Sequence, residues 1–281
     1  METIELPVGE YRFSAQAAGP VDGRLVLLLH GFPQGSRQWR HQLATLAEAG
    51  YRAVAPDQRG YSDGARPEGA ANYARDHLLA DVLGMVDELG AHQFDVVGHD
   101  WGAYLAWHLA SRYPERLRTL TAVSLPHPAA FVDAVVSGKG DQAVRSAYIG
   151  FFRLEGLPEK TMLANEGAGL RSALVSTGLP EEEANFYVAR MREPGALTGA
   201  LNWYRAVCPN DAEGMAPIKT PTLFVWSDND AAVGREAAEA TAVFVEGPYR
   251  FEVLEGVSHW IPDVAPADLD RLLLEHLSAW D

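Results

Sequence analysis

Asp100 stands at the centre of Gly98-His99-Asp100-Trp101-Gly102, between the apolar run Phe94–Gly98 and a stretch of helical spacing that stops before Pro114. A strand-to-helix turn this tight needs glycines where side chains would collide. It exposes its central side chain at a helix N-terminus, where the helix dipole favours an anion. That position suits a nucleophile, and it also suits an aspartate that merely caps the helix. As a nucleophile, a carboxylate does what an alcohol cannot. Alkoxide attack on a saturated carbon leaves an inert ether. Carboxylate attack leaves an alkyl ester, whose carbonyl belongs to Asp100 itself and can be opened by water. The residue type therefore points to displacement at an sp³ carbon followed by ester hydrolysis.

The second step needs a base. His259 lies just beyond the apolar run Tyr249–Glu255, and Asp228 and Asp230 lie just beyond Thr222–Trp226. A histidine oriented by a carboxylate can deprotonate water. Nucleophile, acid and histidine, in that order and each following a strand, is the arrangement of enzymes whose nucleophile sits on such an elbow. The segment His30-Gly31-Phe32-Pro33 follows another apolar run, Arg24–Leu29. A loop there is expected to offer the Phe32 N–H to an oxyanion, with the Trp101 N–H as the second donor. His30 is expected to hydrogen-bond locally and, with Gly31 and Pro33, to hold that loop.

These residues need a scaffold that brings strand ends to one edge. Arg24–His30, Tyr51–Asp57, Phe94–Gly98, Leu120–Leu125, Thr222–Trp226 and Tyr249–Glu255 read as strands covered on both faces, and "ETIELP" and "EYRFSAQ" as two strands at a sheet edge. Helices lie between them. In Arg75–Gly90 the residues Leu78, Leu79, Val82, Leu83, Val86 and Leu89 keep helical spacing, with Gly90 at the C-terminal cap. The helix after the elbow should turn Ala103, Ala106, Ala110 and Tyr113 inward, and the last helix Leu269, Leu272, Leu273, Leu277 and Trp280. Alternating strands and helices imply a mostly parallel α/β sheet. The alternation fails between about His127 and Asp211, a helical stretch rich in Phe, Tyr and Arg. An insertion there reads as a cap over the sheet edge where ligands of such folds bind.

The motifs "HGFP", "PDQRGYSDG", "GHDWGA", "WSDND" and "GVSHWIP" resemble the epoxide hydrolase branch of the α/β-hydrolase superfamily, along essentially the whole chain. The resemblance implies a mostly parallel eight-stranded sheet with helices on both faces. Residues 1–126 and 209–281 would form the core and 127–208 a helical cap. It implies hydrolysis of an epoxide to a vicinal diol through an ester on Asp100, with water and a small apolar epoxide as partners and no metal or organic cofactor. It assigns the acid to Asp230, four residues after Trp226, with Asp228 as the fallback. It adds two cap tyrosines, Tyr148 in "YIGFFRLEGLPE" and Tyr204 in "LNWYRA", as donors to the epoxide oxygen, and a cis peptide bond before Pro33. The chain departs from the family's R-G-Y-G-x-S pattern with "RGYSDGA". Haloalkane and haloacetate dehalogenases use the same nucleophile. The former need N–H donors for the halide, of which Trp101 would be one. The latter place arginines where this chain has Trp101 and Tyr104. The cap arginines Arg145, Arg153, Arg190 and Arg205 read as ion-paired surface residues, and Phe131, Phe151, Phe152, Phe186 and Trp203 suggest an apolar pocket. A non-catalytic receptor on the same scaffold is the remaining alternative.

Composition sets the limits. The chain has 281 residues, 47% of them hydrophobic, enough for one large core. A net charge of −15 repels nucleic acid and anionic membrane. No apolar stretch approaches the ~20 residues of a membrane span. Cys208 is the single cysteine, so no disulfide can form within the chain. With no signal peptide visible in "METIELPVGEYRF", a cytoplasmic monomer or homodimer is expected.

Overall fold

Apolar runs with no polar face can only be strands buried on both sides. In the computed structural model, which describes residues 1–138 and 140–280, every residue of β3 (Leu25–Leu29), β4 (Arg52–Pro56) and β5 (Phe94–His99) is buried. They are joined by β6 (Leu117–Val123), β7 (Thr222–Asn229) and β8 (Tyr249–Ser258). A hairpin of β1 (Glu2–Val8) and β2 (Tyr11–Ala18) turns at Gly9 and forms one edge. The order is β1-β2-β4-β3-β5-β6-β7-β8, antiparallel across β1, β2 and β4 and parallel thereafter. The expected eight-stranded, mostly parallel sheet is present.

Alternation along β3 divides the core in two. Leu25, Leu27 and Leu29 face one layer with helices α2 (Arg75–Glu88) and α3 (Trp101–Arg112). Val26 and Leu28 face the other, with α1 (Arg40–Glu48) and α12 (Pro266–Ser278). Two details differ from the sequence reading. Helix α3 is buried from Gly102 to Ser111 rather than along one stripe. The sheet covers one side, α2 packs alongside, and Trp101 and Trp107 meet Trp203 and His127. Trp280 is 40% exposed, because α12 ends at Ser278 and the tryptophan lies past its last turn.

Between β6 and β7 run α4 (Pro128–Ser137), α5 (Gln142–Arg145), α6 (Ala147–Phe152), α7 (Leu157–Ser176), α8 (Glu181–Met191) and α9 (Ala196–Ala206). α7 breaks at Ala164–Gly167, where Asn165 and Glu166 take left-handed conformations. Charge ties α8 to the sheet side. Glu183 pairs with Arg37 and Arg40, Arg190 reaches Asp57 at 3.6 Å, and the Tyr187 hydroxyl donates to Asp263. α6 has no such anchor and no fully buried residue. The short helices α10 (Arg235–Ala240) and α11 (Ile261–Val264) follow β7 and β8. No helix among the described residues is long and apolar enough to cross a membrane.

Candidate active site

The turn after β5 is as tight as its glycines suggest. A Cβ on Gly98 would sit 2.3 Å from the Gly102 carbonyl oxygen, and one on Gly102 would sit 2.0 Å from that of Leu29. Asp100 itself adopts φ 52°, ψ −117°, a conformation that side-chain-bearing residues rarely occupy. Its side chain makes no capping bond to α3. Instead Oδ1 accepts the Phe32 N–H at 2.9 Å. The Phe32–Pro33 bond is cis. Gly31 leaves room for this approach, since a Cβ there would meet the Asp100 Cβ at 2.5 Å.

Polar groups behind the 30–33 loop hold it in place. The Gln58 N–H donates to His30 Nε2 at 3.1 Å, which puts the ring proton on Nδ1, 2.9 Å from the Gly31 carbonyl. Burial lowers the His30 pKa and keeps the ring neutral. Gln58 also donates its amide to the His30 carbonyl at 2.7 Å.

His259 follows β8 immediately. Its Nδ1 lies 2.8 Å from Asp230 Oδ2, and its Nε2 lies 3.7 Å from Asp100 Oδ2. Asp230 is buried and accepts the Ala232 and Val233 N–H groups on Oδ1, and its carbonyl takes the Arg145 guanidinium. Asp228 is exposed and caps the Gly256 N–H at 2.6 Å. Two residues given no role in the sequence reading support the histidine. Its carbonyl accepts from His99 Nε2 at 2.9 Å and from the Ser124 hydroxyl at 2.8 Å. Nothing marks Ser124 in the sequence, and His99 was legible only as a member of the elbow.

Tyr148 on α6 and Tyr204 on α9 line the same cavity as Asp100, of about 170 Å³, with ring centroids 6.2 Å apart. Tyr204 is 5% exposed and packs edge-on against Trp101, Phe32 and Phe152; Tyr148 is 36% exposed. The buried Trp101 indole N–H lies beside the Tyr204 hydroxyl. The walls are largely apolar, with Leu125, Val132, Ile149, Val207 and Val233 beside the aromatic rings of Trp101, Tyr104, Tyr148 and Tyr204. Of the aromatic residues expected there, only Phe131 lines it. Phe186 instead carries Arg37 over its ring, and Trp203 is buried, its indole bonded to the Arg59 carbonyl. A larger cavity of about 560 Å³ lies behind the 30–33 loop, but the arginines that line it are matched by acidic partners.

The charges are coupled. Burial opposes ionisation of both Asp100 and His259, yet each overrides it through its neighbours. Asp100 is lowered by His259, and His259 is pushed up to about 10 by Asp230 and Asp100 together. Burial and then the Asp100 charge raise the pKa of Tyr148, and burial, Tyr148 and then Asp100 raise that of Tyr204, so both remain phenols. Among the described residues no three His, Cys, Asp or Glu side chains are grouped to hold a metal ion. The arrangement can deliver a carboxylate to a carbon, donate hydrogen bonds to a leaving atom, and deprotonate a water.

Residues 24–266 match the family model for the alpha/beta hydrolase fold. The AB hydrolase superfamily protein YfhM of Bacillus subtilis is 38% identical over 266 residues, covering 93% of this chain and 92% of that protein. Epoxide hydrolase 4 of Mus musculus is 35% identical over 271 residues, covering 93% of this chain and 75% of that protein. Among solved structures, an epoxide hydrolase from Vigna radiata, 29% identical, superimposes with a TM-score of 0.85 over 99% of this chain and 98% of its own. The chain belongs to the α/β-hydrolase fold family, in its epoxide hydrolase branch.

Proposed function

We propose that the protein hydrolyses an epoxide to a vicinal diol through a covalent alkyl ester on Asp100. The observation that carries this is the division of labour between two oxygens. Oδ1 is held by the Phe32 N–H at 2.9 Å, while Oδ2 lies 3.7 Å from His259 Nε2, too far for a good hydrogen bond, and keeps a lone pair for carbon. Oδ2 attacks from behind the C–O bond, the ring opens, and Tyr148 and Tyr204 donate to the leaving oxygen.

Ester formation removes the Asp100 charge. His259 then loses one of the two anions that hold its proton, and the two phenols lose a neighbouring charge that keeps them weak acids. The imidazolium yields its proton, by way of solvent, to replace the one a phenol gave to the opened oxygen, and the neutral imidazole, oriented by Asp230, can then deprotonate a water. Water adds to the Asp100 carbonyl carbon. The oxyanion forms on Oδ1, already at the Phe32 N–H, with the Trp101 backbone N–H as the second donor, and collapse releases the diol. Losing one such donor typically costs about 10²–10³-fold in rate.

In this reading 1–126 and 209–281 are the catalytic base and 127–208 a cap that carries the two phenols. The lone, exposed Cys208 fits a reducing cytoplasm. A buried Trp101 indole N–H at the cavity would also suit a second reading, halide displacement by the same nucleophile, although it lies beside the Tyr204 hydroxyl and two phenols suit a leaving oxygen that must gain a proton. One turnover in ¹⁸O-water with enzyme in excess tests the proposal. The first diol should carry unlabelled oxygen and the label should appear in the protein. A labelled first diol with unlabelled protein would mean direct hydration, and halide release from a haloalkane without diol formation from epoxides would favour the second reading.

A further inference from the structure

The four arginines of the helical segment are not alike. Arg145 pairs with Asp141, Arg190 with Glu193 and Asp57, and Arg205 with Glu159. Arg153 has no acidic partner among the described residues, and its only side-chain bond is from Nη2 to the Val207 carbonyl at 3.2 Å. Among the described residues it is also the only basic one on the wall of the Asp100 cavity. The other acid there, Asp211, does not neutralise it. Asp211 spends Oδ1 on Arg75 at 3.2 Å and Oδ2 on the Cys208 N–H and the Tyr104 hydroxyl. Arg153 thus stands exposed at the border of the Asp100 cavity without an acidic partner among the described residues, in a protein where most arginines have one.

We infer that the preferred epoxides carry a carboxylate, which binds Arg153 while the oxirane lies between Asp100 and the two tyrosines. This rests on the epoxide reading and amends the expectation of a purely apolar substrate. A guanidinium presents two parallel N–H donors that match a carboxylate, and because Arg153 is exposed the gain is modest and falls with added salt. The spacing follows from the helix. Tyr148 lies in α6 and Arg153 caps its C-terminus, five residues on, which is about 7.5 Å along the axis. The carboxylate should therefore sit several bonds from the oxirane, as in a medium-chain epoxy acid. The long-range field of the −15 charge works against such a substrate and should be felt in its association rate.

The test compares ω-epoxy carboxylates of increasing chain length with their methyl esters, on native protein and on Arg153→Gln. The native enzyme should favour the acid roughly five- to tenfold in kcat/KM at the best length. Arg153→Gln should erase that preference, with its loss falling on KM for the acid and several-fold smaller on the ester. Equal use of acid and ester by the native protein, or an equal loss on both in the variant, would overturn the inference. A saturated alkanoate of matching length gives a readout that needs no turnover. It should raise the melting temperature of the native protein but not of Arg153→Gln. If that shift appears while neither epoxide is opened, the anion site stands and the epoxide reading falls; if no shift appears in either protein, the anion site falls.

Discussion

Asp100 carries its carboxylate at φ 52°, so the backbone points the side chain away from the helix it begins and toward the Phe32 N–H. This is why an N-cap role, equally open from the sequence, is not the one seen. The choice between Asp228 and Asp230 was also beyond composition and spacing alone. A register shift between Ser227 and Asn229 in the β7–β8 pairing accompanies it, with Asp228 on Gly256 and Asp230 on His259. Single substitutions test the assignments. His259→Gln should accumulate protein heavier by one substrate on incubation with an epoxide, visible by intact mass. An unchanged mass would remove the ester. Tyr204→Phe and Tyr148→Phe should each slow ring opening by about tenfold or more, seen in single-turnover kinetics. Tyr204, buried among Trp101, Phe32 and Phe152, should be the more costly loss. A double variant that opens the ring at the native rate would dismiss both phenols.

Elements position these groups through close backbone approach, and glycine is the residue that permits it. Gly102→Ala would drive a methyl group to 2.0 Å from the Leu29 carbonyl, backbone against backbone in the middle of the sheet. It should cost more than about 3 kcal/mol and appear as lost soluble protein or a sharply lower melting temperature. Gly31→Ala meets the Asp100 side chain instead, so it should fold and lose activity. Native-like turnover by Gly31→Ala would show that Asp100 does not need its observed place. The strands were legible because runs such as Leu25–Leu29 leave no polar face to expose. The helices between β6 and β7 were not individually legible. Their breaks, such as the left-handed Asn165 and Glu166, sit at residues with no strong turn signature. Arg153 and Arg205 look alike in sequence, and only packing gives Arg205 the partner Glu159 and leaves Arg153 without an acidic one among the described residues.

For the molecule as a whole, buried imidazoles make stability depend on pH. His99 and His108 are lowered to about 3, and His127 and His276 to about 4, in each case chiefly by burial. An exposed imidazole titrates near ~6.5, so from there down to about pH 4 the unfolded chain binds more protons and stability falls as pH falls. Between pH 7.5 and 5.5 each can contribute up to about 1.4 kcal/mol, and the melting temperature should drop on the order of 10 °C. His259 works the other way, since its raised pKa keeps its contribution in full below ~6.5 and surrenders it only as pH climbs toward its folded value. A melting temperature flat across pH 7.5 to 5.5, followed by scanning calorimetry, would contradict this assignment of neutral buried rings. No single stretch of sequence announced the effect, because it depends on which histidines the two layers enclose. The helical segment has a last consequence at this scale. Pro128, near its start, and Val207 and Cys208, at its close, line one cavity, so its two ends are neighbours. A chimera in which a relative's segment replaces residues 127–208 as one cassette should fold and inherit that relative's substrate range; one that folds but keeps the native range would show that the segment does not choose the substrate.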